Sequence, residues 1–228
     1  MSSRENMLRI KAVRFALGDL ADRVVFVGGA TVSLYADRPT GEVRPTYDVD
    51  VLVELLDYGR YSALEEKLRE RGFQNDIESG IICRYRVQGI IVDIMPTSEN
   101  VLGFSNKWYP EAFAQAIEVL LEGTPIKLFS AVYFIASKIE AFKGRGEKDG
   151  RTSTDFEDIV YLLNNKTTIW KELDEAPATL YHYLKKEIQI LLDVPYIEEW
   201  IGVHLDYHER GRVRFIMEGL SKFVRDVS

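Results

Sequence analysis

The spacing of apolar residues changes about halfway along the chain. In the first half, short runs of β-branched and aromatic residues predict strands, over 24–27, 47–54, 73–77, 81–87 and 90–95. Apolar residues at helical spacing predict helices over 4–22, 30–35 and 61–71. The segment 37–45 contains Pro39, Gly41 and Pro45 and is predicted to be a loop.

The second half has mainly helical patterns. A strand is predicted over 125–129 and a helix over 131–142, while 111–121 fits either helix or strand. Ser153 or Thr154 is expected to begin a helix that runs to Leu163. The remainder is predicted to be helical, with breaks at Pro177, Pro195 and Gly211. We therefore predict an α+β fold, with a mixed-sheet core over 1–125 and a helical C-terminal region over 126–228.

Composition restricts the class of protein. The 228 residues are 46% hydrophobic, and the net charge of −7 does not favour a broad nucleic-acid-binding surface, although a local basic groove stays open. Cys83 is the only cysteine, so no intrachain disulfide can form. The chain has no N-terminal apolar signal core and no apolar run of roughly 20 residues, so we expect a cytoplasmic protein without a membrane partner.

Gly28 and Gly29 follow the first predicted strand and precede a predicted helix. Glycine lets the backbone approach a ligand closely, and a helix N-terminus attracts phosphate. Thr31 would add a hydroxyl to such a phosphate cradle. A simple turn would use the same two glycines, so this motif has two interpretations on its own.

Three aspartates occur in strongly apolar strands. Asp48 and Asp50 are one residue apart and therefore share a face of their strand. Asp93 lies between Val92 and Ile94, where an unpartnered carboxylate would carry a large desolvation cost. Carboxylates this close repel unless a cation lies between them, so we predict a metal site. The alternative is an Asp pair that caps or turns an exposed strand end.

The order of these motifs resembles the nucleotidyltransferase superfamily with the polymerase-β-like fold. The local sequence is similar to the AbiEii-type (abortive-infection toxin) nucleotidyltransferases, in the segments Val27-Gly28-Gly29-Ala30-Thr31 and Arg44-Pro45-Thr46-Tyr47-Asp48-Val49-Asp50. The resemblance extends over about 24–163. It implies an NTP substrate, two Mg²⁺ ions held by the three aspartates, and nucleotide contacts from Gly28, Gly29, Thr31, Arg44 and Thr46.

The resemblance also assigns roles in the second half. Lys138 would neutralise phosphate charge, whereas its position on an apolar helix also suits a lysine that extends into solvent. Arg145 is matched as a second cation. Asp155 and Asp158 share a helix face and would orient Lys138 or an incoming hydroxyl, or would simply favour a helix N-terminus. Asp149, directly after Lys148, competes with Asp155 for the family's last acidic position.

These observations favour a Mg²⁺-dependent nucleotidyltransferase in which Asp48, Asp50, Asp93 and Lys138 are catalytic. By resemblance, the acceptor would be tRNA or another RNA, and the protein would be a toxin with a partner antitoxin protein. One alternative is transfer to a small molecule such as an aminoglycoside, or to a protein hydroxyl. The other is a catalytically silent scaffold that binds nucleotide or a partner.

Overall fold

The computed structural model describes residues 2–38, 43–55, 58–103, 105–145 and 149–225. The chain divides into two compact units. The first contains Met1–Ser33 and Glu42–Ser130, and the second contains Leu34–Gly41 and Ala131–Ser228. Together they form the α+β fold that the sequence predicts, a mixed sheet followed by a helical C-terminal region.

A seven-stranded sheet with the order β3-β4-β5-β2-β1-β7-β6 forms the centre of the first unit. Its strands are β1 (Val24–Val27), β2 (Asp48–Val53), β3 (Gln74–Asn75), β4 (Arg84–Val87), β5 (Ile90–Pro96), β6 (Ile117–Leu121) and β7 (Thr124–Leu128). The pairs β2–β5 and β1–β7 are parallel, and the other pairs are antiparallel. The sheet is therefore mixed, and β1 and β2 lie near its middle, where apolar runs are expected.

In the described part of the first unit, four α-helices accompany the sheet. They are α1 (Ser2–Leu17), α2 (Tyr58–Glu70), α3 (Glu99–Leu102) and α4 (Tyr109–Ala114). The helix predicted over 4–22 is wrong in its last turn, because Gly18 has φ +57° and a 3-10 helix, Gly18–Arg23, follows. The helix predicted behind the glycines is also 3-10, over Gly29–Tyr35.

Two predicted strands are longer than the observed ones, and the segment predicted as either helix or strand contains a part of each. The predicted strand 73–77 is reduced to Gln74–Asn75, because a 3-10 helix, Ile77–Ser79, follows it. The predicted strand 81–87 begins only at Arg84. The segment 111–121 begins inside α4 and ends as β6.

The second unit is helical. Its α-helices are α5 (Ala131–Gly144), α6 (Thr154–Asn165), α7 (Ile169–Asp174), α8 (Ala178–Leu192), α9 (Ile197–Val203) and α10 (Arg212–Arg225). The Ser153 hydroxyl accepts a hydrogen bond from the backbone N–H of Phe156, which confirms Ser153 as the N-cap of α6. Pro177, Pro195 and Gly211 all lie between helices, as predicted. Within the described ranges, no helix is long and apolar enough to cross a membrane.

Helix α1 packs with a face that includes a polar residue. Asn6, Ile10, Val13 and Leu17 are buried at helical spacing. Phe15, which the apolar pattern also places among the recurring positions, is 83% exposed. The buried face of α1 thus keeps most of the apolar positions but includes the polar Asn6 and leaves out Phe15.

The register of three strands positions the carboxylates. In the parallel pair β2–β5, Asp50 is opposite Asp93. In the hairpin β4–β5, Gln88 and Gly89 both have positive φ, at 50° and 79°, and the turn places Arg84 opposite Asp93. Side chains from β2, β4 and β5 therefore converge at one level of the sheet.

Candidate active site

Asp48, Asp50 and Asp93 form a carboxylate triad. Each offers one oxygen, and these oxygens all lie within 4.8 Å of one another. Asp48 and Asp50 project from the same side of β2, and β5 brings Asp93 beside them. The carboxylates of Asp48 and Asp50 are partly exposed, whereas Asp93 is buried. Three clustered carboxylate oxygens are a donor set that suits Mg²⁺, so these residues fit the predicted metal.

The glycine turn leaves room for one of these carboxylates. Gly28 directly follows β1 with φ +74°, and a Cβ atom there would lie 1.9 Å from Oδ2 of Asp50. Thr31 is fully buried, and its hydroxyl donates to the carbonyl of Gly28 over 2.8 Å. Thr31 thus holds the turn from inside the protein. Both residues bring the backbone close to the triad.

Arg44 and Thr46 lie against the second glycine. A Cβ atom at Gly29 would lie 2.4 Å from Nη2 of Arg44 and 3.1 Å from Cγ2 of Thr46. The Thr46 hydroxyl is buried and donates to Oδ1 of Asn6 over 3.0 Å. The Asn6 amide also donates to the Arg44 carbonyl over 3.4 Å. Asn6, which the sequence did not mark, therefore fixes the segment that leads into the Asp-x-Asp strand.

Arg84, which was not among the site residues predicted from the sequence, also contacts the triad. Its guanidinium donates to both oxygens of Asp93, each over 2.8 Å, and Nη2 donates to Oδ2 of Asp48 over 3.2 Å. The hydrogen bonds that Arg84 donates to Asp93 raise the pKa of Arg84 above its ordinary value, against the opposing effect of burial. Asp48 and Asp50 add to the increase through their charges.

The charge of Arg84 offers a second explanation, besides a metal, for the close approach of the carboxylates. The repulsion between these carboxylates predicted that a metal cation lies next to them. The Arg84 guanidinium already supplies one positive charge to Asp48 and Asp93. The clustering of carboxylates is therefore compatible with metal binding but does not by itself require it.

Lys138, Arg145, Asp155 and Asp158 form a separate cluster in the second unit. The Lys138 ammonium lies 2.9 Å from Oδ1 of Asp155 and 2.6 Å from Oδ2 of Asp158. Both carboxylates are 99% buried, and Lys138 is buried with them, so the alternative of a lysine on a solvated face is wrong. Burial lowers the pKa of Lys138, but Asp158 and Asp155 outweigh it and raise the pKa overall.

The remaining contacts distinguish Asp155 from Asp149, the two candidates for the last acidic position of the family that the sequence resembles. Nη1 of Arg145 lies 3.2 Å from Oδ2 of Asp155. Asp149 is partly exposed and pairs with Arg151. Lys148, the neighbour of Asp149, lies outside the described residues. Of the two candidates, Asp155 is thus the one that contacts both Lys138 and Arg145.

Comparison with known proteins supports the fold. No protein-family model matches this chain, and no curated protein matches its sequence. The structure is similar to the crystal structure of an antigenic nucleotidyltransferase-like protein from Paracoccidioides brasiliensis, with a TM-score of 0.52 and 18% identity. The match covers 91% of this chain and 99% of that protein. The chain therefore has a nucleotidyltransferase-like fold, and membership in the AbiEii-type group stays a prediction.

Proposed function

We propose that this protein is a divalent-metal-dependent nucleotidyltransferase. The observation that carries the proposal is the carboxylate triad, with oxygens within 4.8 Å of one another, beside the Gly28 turn. The nucleotidyltransferase-like fold, which matches over 91% of the chain, supports the same activity. Asp48, Asp50 and Asp93 would hold the metal, and two Mg²⁺ ions are the expected number for this chemistry.

The roles of the surrounding residues follow from their contacts. The backbone of Gly28 and Gly29 would face the triphosphate, because the Gly28 turn lies directly against Asp50 of the triad. Arg44, placed against Gly29 by Asn6 and Thr46, would be a phosphate contact. Thr31 would support the turn through the Gly28 carbonyl, since its hydroxyl is buried.

The proposed reaction moves a nucleoside monophosphate to an acceptor hydroxyl. The acceptor oxygen forms a bond to the α-phosphorus, and the bond from that phosphorus to the bridging oxygen breaks, which releases pyrophosphate. The carboxylate of Asp93 would receive the hydroxyl proton. When bound, Mg²⁺ would supply Lewis acidity and neutralise charge on the phosphate oxygens.

The contacts of the Lys138 cluster favour a different role from the phosphate contact that the resemblance implies. Two buried carboxylates already neutralise the Lys138 ammonium, which favours a structural role in the second unit. Contact between phosphate and Lys138, Arg145, Asp155 or Asp158 stays a prediction from the resemblance.

The acceptor and the biological setting also rest on the resemblance. It supports an RNA acceptor such as tRNA, and a toxin whose cognate antitoxin would be a separate protein. The net charge of −7 favours the alternative of a small-molecule or protein acceptor, because an acidic surface repels nucleic acid. The Arg84 ion pairs favour a further alternative, a silent scaffold, since they stabilise the triad without a metal.

The test is a labelling experiment with purified full-length protein, Mg²⁺ and each of the four labelled NTPs. Total RNA, an aminoglycoside mixture and a protein extract serve as separate acceptors. Wild type is compared with the double variant Asp48→Asn/Asp50→Asn. A matched control is Asp22→Asn, because the carboxylate of Asp22 is 74% exposed and pairs with Arg14 outside the triad.

We expect wild type and Asp22→Asn to label one acceptor class and the double variant to lose at least about 99% of the labelling, since positioned charge commonly contributes that much. The labelled acceptor class then distinguishes RNA from the small-molecule and protein alternatives. Equal labelling by wild type and the double variant would contradict the proposal. Nucleotide binding without transfer to any acceptor would support the scaffold.

A further inference from the structure

Arg84 bridges carboxylates from two different strands. Arg84 lies on β4, and its guanidinium donates one hydrogen bond to each oxygen of Asp93 on β5. This bidentate arrangement is the strongest geometry for an Arg–carboxylate pair. Its Nη2 also reaches Asp48 on β2. The side chain is 19% exposed, so these contacts are only partly weakened by solvent.

The same oxygens are the donors that a divalent cation would need. Asp48 and Asp93 belong to the triad whose oxygens cluster within 4.8 Å. A guanidinium is charged at every accessible pH, so it cannot withdraw its charge by losing a proton. A metal ion bound there would weaken the hold of Arg84 on both carboxylates and would also repel it.

We infer that Arg84 competes with the divalent metal for Asp48 and Asp93 and, once displaced, binds the nucleotide phosphates. This inference rests on the proposed function. Phosphate oxygens accept the same bidentate hydrogen bonds that Asp93 accepts. A triphosphate therefore offers the displaced guanidinium a replacement partner. Arg84 thereby links metal binding to nucleotide binding, because each ligand lowers the cost of the other.

The consequence is a substitution with opposite effects on the two ligands. Removal of the Arg84 charge leaves Asp48 and Asp93 to the metal alone, so metal affinity in the absence of nucleotide should rise. The same change removes a phosphate contact and makes the site more negative, so nucleotide affinity should fall. A residue that only supports the fold would weaken both.

Two binding measurements on the full-length chain test this inference. Mn²⁺ affinity without nucleotide is measured from the free-ion electron paramagnetic resonance signal. Affinity for a non-hydrolysable NTP is measured by calorimetry, once with EDTA and once with saturating Mn²⁺. The variants are Arg84→Gln, Arg84→Lys and the control Arg86→Gln. Arg86 is on the same strand and pairs with Asp76 over 2.9 Å instead of with the triad.

Without nucleotide, we expect Arg84→Gln to bind Mn²⁺ about tenfold more tightly than wild type. With saturating Mn²⁺, we expect it to bind the NTP about tenfold more weakly than wild type. Both changes are within the range of ordinary coupling between ligands. Arg84→Lys keeps the positive charge but loses the bidentate geometry, so its two affinities should lie between those of wild type and Arg84→Gln. Arg86→Gln should match wild type. A folded Arg84→Gln whose Mn²⁺ affinity is unchanged or weaker would overturn the inference.

The inference can fail while the proposed function stands. If wild type transfers nucleotide and Arg84→Gln binds Mn²⁺ like wild type, only the competition by Arg84 is refuted. If wild type binds neither Mn²⁺ nor the NTP, both the proposed function and this inference are refuted. Should Arg84→Gln not fold, unchanged Mn²⁺ affinity in Arg84→Lys decides against the inference.

Discussion

Gly28 and Asp50 are so close that the site has no room for a side chain between them. A Cβ atom at Gly28 would lie 1.9 Å from Oδ2 and 2.8 Å from Cγ of Asp50. Contacts this short require movement of the carboxylate or of the backbone. Gly28 also has φ +74°, a conformation that other residues adopt at a cost. The glycine is therefore needed for two independent reasons, and only one of them concerns the triad.

The first prediction separates these reasons with two alanine substitutions. Gly28→Ala should reduce nucleotidyl transfer at least about 100-fold, because it displaces Asp50 from the triad. Gly123→Ala is the control, since Gly123 has φ +83° and nothing within 4 Å of its Cβ position. The control should lose about 1 kcal/mol of stability from backbone strain alone and keep its activity. Transfer rates and urea unfolding of both variants check this, and an active Gly28→Ala would contradict it.

The second prediction concerns Lys138 as the internal counter-ion of α6. Lys138→Met should lower the free energy of unfolding by about 3–5 kcal/mol, because it leaves Asp155 and Asp158 buried without their main cation. Lys171→Met is the matched control, since Lys171 is 74% exposed and should change stability little. Urea unfolding measures both variants. If Lys138→Met keeps wild-type stability but loses NTP affinity, the resemblance is favoured over the structural role.

The third prediction concerns pH and the same lysine. Folding raises the pKa of Lys138, because Asp158 and Asp155 together outweigh burial. A raised pKa means that the stabilising contribution is complete below the unfolded value of about 10.4 and is lost as pH rises through the folded value. The difference in unfolding free energy between wild type and Lys138→Met should therefore stay constant from about pH 7 to about pH 9 and decrease above about pH 10.4. A difference that grows in alkali would contradict the assignment.

The fold and the site were predictable to different extents. The strands that carry Asp48, Asp50 and Asp93 follow from β-branched runs, since a buried sheet needs those residues on both sides of each strand. Arg84 was also within reach. Gly89 marks a tight turn, and counting outward from it pairs Arg84 with Asp93. The missing step was the register of the hairpin.

Other contacts were not accessible from local patterns. Asn6 is fully buried, but hydrophobic periodicity treats a polar residue as part of the solvated face. Its partners are almost 40 residues away in the sequence, at Arg44 and Thr46. Burial of Lys138 was equally hidden, because it depends on the packing of α6 against α5.

The fourth prediction concerns the single thiol. Burial raises the pKa of Cys83 to about 11, and the charges of Asp93 and Asp50 contribute to the increase. Near pH 8, the native thiol should therefore be almost entirely protonated, and it is also 97% buried. Reaction with a chromogenic disulfide should be at least about 100-fold slower in the native protein than in urea-unfolded chain. Equal rates would show that the segment around Cys83, directly before β4, opens readily.

The fifth prediction concerns Asn6 and the segment that precedes the Asp-x-Asp strand. The Asn6 amide oxygen accepts from both the N–H and the hydroxyl of Thr46, over 3.3 and 3.0 Å, and its nitrogen donates to the Arg44 carbonyl. Asn6→Ala leaves these buried groups without partners, so it should cost about 2 kcal/mol of stability. It should also weaken NTP binding several-fold, because Arg44 loses its fixed position against Gly29.

Two variants separate support of Arg44 from general destabilisation. Asn100→Ala, at an exposed position on α3, should leave both stability and NTP affinity unchanged. Arg44→Gln removes the phosphate contact itself. If Asn6 acts through Arg44, calorimetric NTP affinity in Asn6→Ala/Arg44→Gln should be no weaker than in Arg44→Gln alone, because the two effects share one contact. Additive losses would instead mean that Asn6 affects nucleotide binding by another route.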